Sequence, residues 1–228
     1  MQQLLLLHGA IGSANQFEQF VPLLEKKYKV SSINFSGHGG NPIPLSDFSI
    51  ALFAKDVLHW LDSNNIKTID IVGYSMGGYV ALYLAKHYPD RVGKIFTLAT
   101  KFDWTPEGAS KEAAMLNADK ISEKVPIFAK KLEHIHGADN WKLVLNKTAE
   151  MMLALGQKPT LTLTDLSEIK HTVLLSVGDK DMMVSLEETI AMYRSLKNAQ
   201  LLVLPNTQHA FEKVNLNTLS QAVINFMS

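Results

Sequence analysis

Apolar residues fall along this chain in two alternating kinds of run. Short, nearly continuous stretches rich in Leu, Ile and Val predict strands near Gln3–Leu7, Lys29–Asn34, Thr68–Tyr74, Lys94–Ala99, His171–Val177 and Gln200–Leu204. Between them, apolar residues recur at helical spacing and predict helices near Asn15–Leu24, Ile50–Asn64, Met76–His87, Leu186–Ser195 and Asn217–Phe226. Regular strand–helix alternation implies right-handed crossovers. The expected fold class is therefore α/β, a mostly parallel sheet of about six strands with helices on both faces. Between Thr100 and Lys170 the alternation stops. There Ala113–Glu123, Val125–His136, Trp141–Leu155 and Leu161–Ile169 read as helices with no strand between them.

Composition narrows the class. With 228 residues and 46% hydrophobic content, the chain can bury a substantial core as one globular unit. Its 22 basic and 22 acidic residues cancel, so nothing points to nucleic acid or an anionic membrane surface. The lack of cysteine excludes disulfides, thiolate metal sites and a thiol nucleophile, and it suits a cytoplasmic location. Leu4–Leu7 is too short for a signal-peptide core, and no apolar stretch approaches membrane-spanning length. A small-molecule substrate is the expected partner, and a homo-oligomer is not indicated.

The chemistry starts at Gly73-Tyr74-Ser75-Met76-Gly77, a Gly-x-Ser-x-Gly between an apolar strand and an apolar helix. A sharp strand-to-helix turn strains the serine backbone and crowds its neighbours, which Gly73 and Gly77 accommodate. The serine hydroxyl is thereby exposed beside the N–H groups that open a helix. A serine needs a base to remove its proton, and a histidine base needs a carboxylate to orient it. Two carboxylates, Asp179 and Asp181, follow the strand ending at Val177-Gly178, and His209 follows the strand ending at Leu204. Each candidate stands at a strand's carboxyl end, where open α/β sheets place their sites. After the first strand, the loop His8-Gly9-Ala10 can offer a backbone N–H to an oxyanion, the second donor being the N–H of Met76.

With His8-Gly9, Ser36-Gly37-His38-Gly39-Gly40, Gly73–Gly78, Gly178–Asp181 and Gln208-His209-Ala210 in this order, the chain resembles the α/β-hydrolase superfamily over nearly its whole length. The resemblance implies Ser75 as nucleophile, His209 as base and Asp181 as the orienting acid. Asp181 is favoured over Asp179 because the acid usually follows the strand-ending glycine by three residues. Asp103, one strand earlier, is the rival. The resemblance also implies that residues 101–169 form a helical cap inserted into a core of residues 1–100 and 170–228. It implies that the usual first two strands are missing, which makes Lys29–Asn34 an edge strand.

The expected reaction is cleavage of a small, neutral, moderately apolar ester or thioester through an acyl-enzyme, with no cofactor and no metal. A serine at this place argues against the dehalogenase and epoxide hydrolase branches, which use aspartate there. Carbon–carbon bond cleavage with the same triad, or a small-molecule sensor with a weakly active triad, are the alternatives. Phe128, Met151 and Met152 are the candidate pocket residues, with at most one of the adjacent methionines expected to face the pocket. Lys101 or Lys111 is a candidate for a single anion. The only arginines, Arg91 and Arg194, are placed away from the pocket. His134-Ile135-His136 with Asp139 has poor metal spacing on a helix, so a solvated or capping role is expected there. His8 and His38 are expected to brace their glycine loops.

Overall fold

The computed structural model describes residues 1–228. Six strands form one parallel sheet: β1 (Gln2–Leu7), β2 (Tyr28–Ile33), β3 (Ile69–Tyr74), β4 (Val92–Leu98), β5 (Val173–Gly178) and β6 (Ala199–Leu204). Their spatial order is β2-β1-β3-β4-β5-β6, with every neighbouring pair parallel. β2 is an edge strand, as the sequence suggests, and lysines at 26, 27 and 29 flank or occupy it.

β1 explains why its pattern reads as a continuous apolar run. Leu4 and Leu6 pack on one face of the sheet with Phe17, Phe20 and Phe226, whereas Leu5 and Leu7 pack on the other with Phe53, Val80 and Met192. Both faces are covered, so alternation of side chains never exposes a polar row. Helices α1 (Val21–Leu24) and α10 (Leu216–Met227) contribute to the first face. Helices α2 (Ile50–Ser63), α3 (Met76–His87) and α9 (Leu186–Ser195) contribute to the second.

Between β4 and β5 lie α4 (Pro106–Ala114), α5 (Ala118–Lys124), α6 (Pro126–His136), α7 (Trp141–Gln157) and α8 (Leu163–Glu168). Ala118, Ile121, Leu132, Trp141 and Leu145 make a small apolar cluster of their own. Val144, Met151, Leu155 and Leu166 instead join the cluster on the face of the sheet that α2, α3 and α9 cover. No helix is long and apolar enough to cross a membrane.

Two expected helices differ. The run Asn15–Leu24 is a 3-10 turn at Ala14–Phe17 followed by the single turn of α1, because Pro22 removes a donor and crowds the carbonyl four residues back. The run Ala113–Glu123 divides into α4 and α5 at Met115-Leu116-Asn117, where the Asn117 side chain accepts from the Lys120 N–H and starts a new helix. The start of α4 carries its own signal, since Thr105 caps it and Pro106 holds the first position.

Candidate active site

The sheet order reverses direction between β1 and β3, and a crevice opens at the carboxyl ends on either side of that switch. Ser75 follows β3 there, with φ 50° and ψ −116°. This conformation is strained for a residue with a side chain, and the surroundings enforce it. The Ser75 N–H donates to the Leu98 carbonyl at 2.7 Å. A Cβ on Gly77 would run into the carbonyls of Leu7 and His8, and one on Gly78 into the Thr100 hydroxyl. One on Gly73 would stand 2.5 Å from the Gly77 backbone. Only glycine lets β3, β1 and α3 meet this closely. Ser75 is partly exposed while its neighbours on both sides are buried.

His209 and Asp181 meet across two loops. The Nδ1 of His209 lies 2.8 Å from the Asp181 Oδ2. The Asp181 side chain is 0% exposed, and the other carboxylate oxygen accepts from the N–H groups of Met183 and Val184 at 2.8 and 2.9 Å. Burial alone would push this carboxyl up. The hydrogen bond and charge attraction from His209, with the Val184 and Met183 amides, outweigh it and hold Asp181 below the ordinary value. Asp179 has a different task, accepting from the Thr207 N–H at 3.1 Å and so tying the loop after β6 to that after β5. Asp103 is exposed, and its backbone N–H donates to Glu188. Of the three aspartates, Asp181 alone is hydrogen-bonded to His209.

Ser75 and His209 face one cavity of about 1300 Å³. Their side chains are not hydrogen-bonded to each other. Ala10 and Met76 line the same cavity, and neither of their N–H groups donates to a protein acceptor. Tyr74 supports the loop of His209, its hydroxyl donating to the His209 carbonyl at 3.0 Å. Burial, with the charge of Glu212, pushes the Tyr74 phenol well above its ordinary value, so it stays a donor.

Phe128, Met151 and Met152 all line the cavity. The expectation that only one of the two methionines would do so is corrected. Adjacent residues lie about 100° apart on a helix, and the wall that α7 contributes, which includes Leu155, is wide enough to take in both. The wall also holds charge of both signs, two ion pairs together with Glu18 and Lys180, which pair with nothing. Lys101 stands 3.8 Å from Glu112, and Lys131 on α6 stands 2.5 Å from Glu212 after β6. Lys111 is exposed and does not line the cavity, and Arg91 pairs with Asp62 elsewhere.

The histidines before and after the site are more tightly used than the sequence suggests. His8 donates from Nδ1 to the Gly9 carbonyl at 2.8 Å and accepts the Phe35 N–H at Nε2. Full burial lowers it to about 4, against the opposing pull of the Gly9 carbonyl. His38 braces its own loop through the Ser36 carbonyl at 3.1 Å. His136 is not solvated, correcting the expectation for that segment. It is 1% exposed and accepts the Gly39 N–H at 3.1 Å, while Nε2 donates to the Ile11 carbonyl at 2.9 Å. The apolar spacing of Ala129, Leu132 and His136 along α6 is the signal that places it inward. No cluster of His, Asp and Glu in the chain has the arrangement of a metal site.

Comparison with known proteins places the fold. A family model described as the alpha/beta hydrolase fold matches residues 3–133. A pimeloyl-[acyl-carrier protein] methyl ester esterase of Neisseria meningitidis is 26% identical, over 92% of this chain and 86% of its own length. A putative non-heme chloroperoxidase of Synechocystis is 25% identical, over 99% and 91%. Among solved structures, a putative lipase of Acinetobacter baumannii superposes with a TM-score of 0.84 at 21% identity, covering 99% of this chain and 83% of that one. The matched span runs from β1 through the elbow and into α6, more than half of the 228 residues, and the chain belongs to the α/β-hydrolase family.

Proposed function

We propose that this protein is a serine esterase that cleaves small, neutral, moderately apolar esters or thioesters through an acyl-enzyme on Ser75. The observation that carries the reading is the His209–Asp181 hydrogen bond of 2.8 Å, formed in the cavity onto which the strained Ser75 opens. Ser75 Oγ attacks the carbonyl carbon as His209 Nε2 takes its proton. Asp181 holds the imidazole in the Nδ1–H tautomer and stabilises its charged form. The free N–H groups of Ala10 and Met76 receive the oxyanion. Collapse of the tetrahedral intermediate expels the alcohol or thiol, which takes the proton from His209. Water, activated by the same histidine, then hydrolyses the acyl-serine.

Residues 101–169 serve as a cap, with Phe128, Met151 and Met152 contributing the acyl wall. On the wall Lys101, Lys131 and Lys180 are balanced by Glu18, Glu112 and Glu212, which leaves no strong single-sign field for an ionic substrate and supports a neutral ester. The meningococcal relative is named as a methyl ester esterase, which supports ester cleavage. The test uses p-nitrophenyl esters of graded acyl length and a fluorophosphonate probe. The wild-type protein should turn over the esters and be labelled. Ser75→Ala should lose at least about a thousandfold in turnover and all labelling, with thermal stability nearly unchanged. Labelling that persists on Ser75→Ala overturns the assignment.

A further inference from the structure

The second backbone strain in the site lies in the loop after β1. Gly9 to Gly12 form a tight turn, closed by the Gly12 N–H donating to the Gly9 carbonyl at 3.1 Å. Its third residue, Ile11, has φ 52°. Glycine or asparagine normally takes a positive φ at that turn position, and a β-branched side chain resists it more than any other. An isoleucine left to itself would favour negative φ, which reorients the adjoining peptide units and with them the loop that carries the Ala10 N–H.

Two contacts hold Ile11 in place, and both come from residues far along the chain. Its side chain packs between the main core and the small cluster of α5, α6 and α7. Its carbonyl accepts from His136 Nε2 at 2.9 Å. His136 is the last residue of α6, and its other ring nitrogen accepts the Gly39 N–H at 3.1 Å. The neutral ring is thus fully committed, one nitrogen to each of two loops, and its tautomer is fixed by them. The Gly39 loop is in turn tied to the first loop, since Asn34 donates to the Gly39 carbonyl at 3.1 Å and accepts the Ala14 N–H at 2.6 Å.

We propose that His136 is a positioning residue for the oxyanion hole: seated from the inserted helices, it holds Ile11 at positive φ and so aims the Ala10 N–H into the cavity. The inference rests on the esterase reading above. It makes the seating of α6 a condition for transition-state stabilisation and not only a cover for the pocket.

The experiment measures kcat and KM with a p-nitrophenyl ester for wild type, Ser75→Ala, His136→Phe and His136→Gln, and for Ile11→Gly with and without His136→Phe. Phenylalanine keeps a ring of similar size and removes both hydrogen bonds. Glutamine retains a donor near the position of Nε2. His136→Phe should lower kcat about ten- to a hundredfold, short of or equal to loss of one whole oxyanion donor, with KM within about threefold. His136→Gln should recover kcat to within about threefold of wild type. In the Ile11→Gly background, where positive φ carries no strain, the same His136→Phe change should cost less than about threefold. His136→Ala replaces His136→Phe if the latter does not fold. Wild-type kcat in the folded variant overturns the proposal, as does a change in KM alone or an undiminished loss in the Ile11→Gly background. These results leave the esterase reading intact as long as Ser75→Ala is inactive. Wild-type turnover by Ser75→Ala removes that reading and the proposal with it.

Discussion

The elbow at Ser75 and the loop at Ile11 both place a non-glycine residue at positive φ, 50° and 52°, beside one cavity. They are held by different means. At the elbow the residues that permit the strain are local, since Gly73, Gly77 and Gly78 lie within three residues of the serine, and the groups that enforce it belong to the sheet itself and the ends of its strands, the carbonyls of Leu98 and Leu7 among them. At Ile11 the flanking sequence favours another conformation, and the hydrogen bond that opposes it comes from His136, 125 positions away. A strain enforced by the sheet survives as long as the sheet does. A strain enforced from a separate set of helices lasts only while those helices stay seated, which makes the loop after β1 the more sensitive of the two.

The largest expected effect tests another long-range restraint, the orientation of His209. Asp181→Asn should retain the fold but lower kcat by roughly three to four orders of magnitude, because the amide favours the wrong imidazole tautomer. Asp103→Asn and Asp179→Asn should each be mild in steady-state kinetics. A reversed ranking would move the acid to the end of β4.

Gly77→Ala breaks the local side of the comparison. The new methyl would meet the Leu7 and His8 carbonyls, which are backbone of the central strand and its loop and cannot swing away. A loss of about 3 kcal/mol or more in urea-denaturation stability is expected, or failure to accumulate folded protein. Stability within about 1 kcal/mol of wild type, the effect of an ordinary surface change, would show that the elbow is less constrained than its geometry implies.

Acid should loosen the long-range side. His8 is held near 4 in the folded chain against 6.5 when unfolded, so between those values the unfolded chain binds more protons. Protonation there favours unfolding, and stability should fall as the pH drops from 6.5 towards 4, by up to about 3 kcal/mol from His8 alone. His38 and His136 are also lowered by burial and act in the same direction. Asp181, held below its ordinary value, adds a further loss as the pH falls through the carboxylate range. Urea midpoints at about pH 7.5 and about pH 4.5, on either side of the ordinary histidine range, check this. Equal midpoints would mean that the buried histidines are protonated at little cost.

The smallest effect concerns the apolar wall. Each methylene of the acyl chain should gain at most about 0.8 kcal/mol until the cavity is filled. Met151→Trp and Met152→Trp, both on the wall, should each shorten the preferred acyl chain, with about tenfold lower kcat/KM for the longest ester. An unchanged chain-length profile in both folded variants would place the acyl group elsewhere in the cavity.

The sequence determined the features whose causes are near neighbours in the chain. The apolar runs that became β1 to β6 are legible because a doubly covered parallel strand needs little but branched apolar residues. The Gly-x-Ser-x-Gly turn is legible because its glycines stand beside the strain they permit. Thr105-Pro106 carried an equally local signal for the start of α4, and Pro22 carried one for the break before α1. Where a contact joins distant segments, only the tertiary structure decided. The choice among Asp103, Asp179 and Asp181 depended on which carboxylate the packing of two strand-end loops brought to His209. The pairing of Lys101 with Glu112, and the facing of both methionines into one cavity, depended on how α4 and α7 settle over the sheet. His136 stands at the end of a polar helix. Its spacing from Ala129 and Leu132 marks the inward face of α6, but which distant backbone groups its ring nitrogens meet is decided only by the packing of three separate segments.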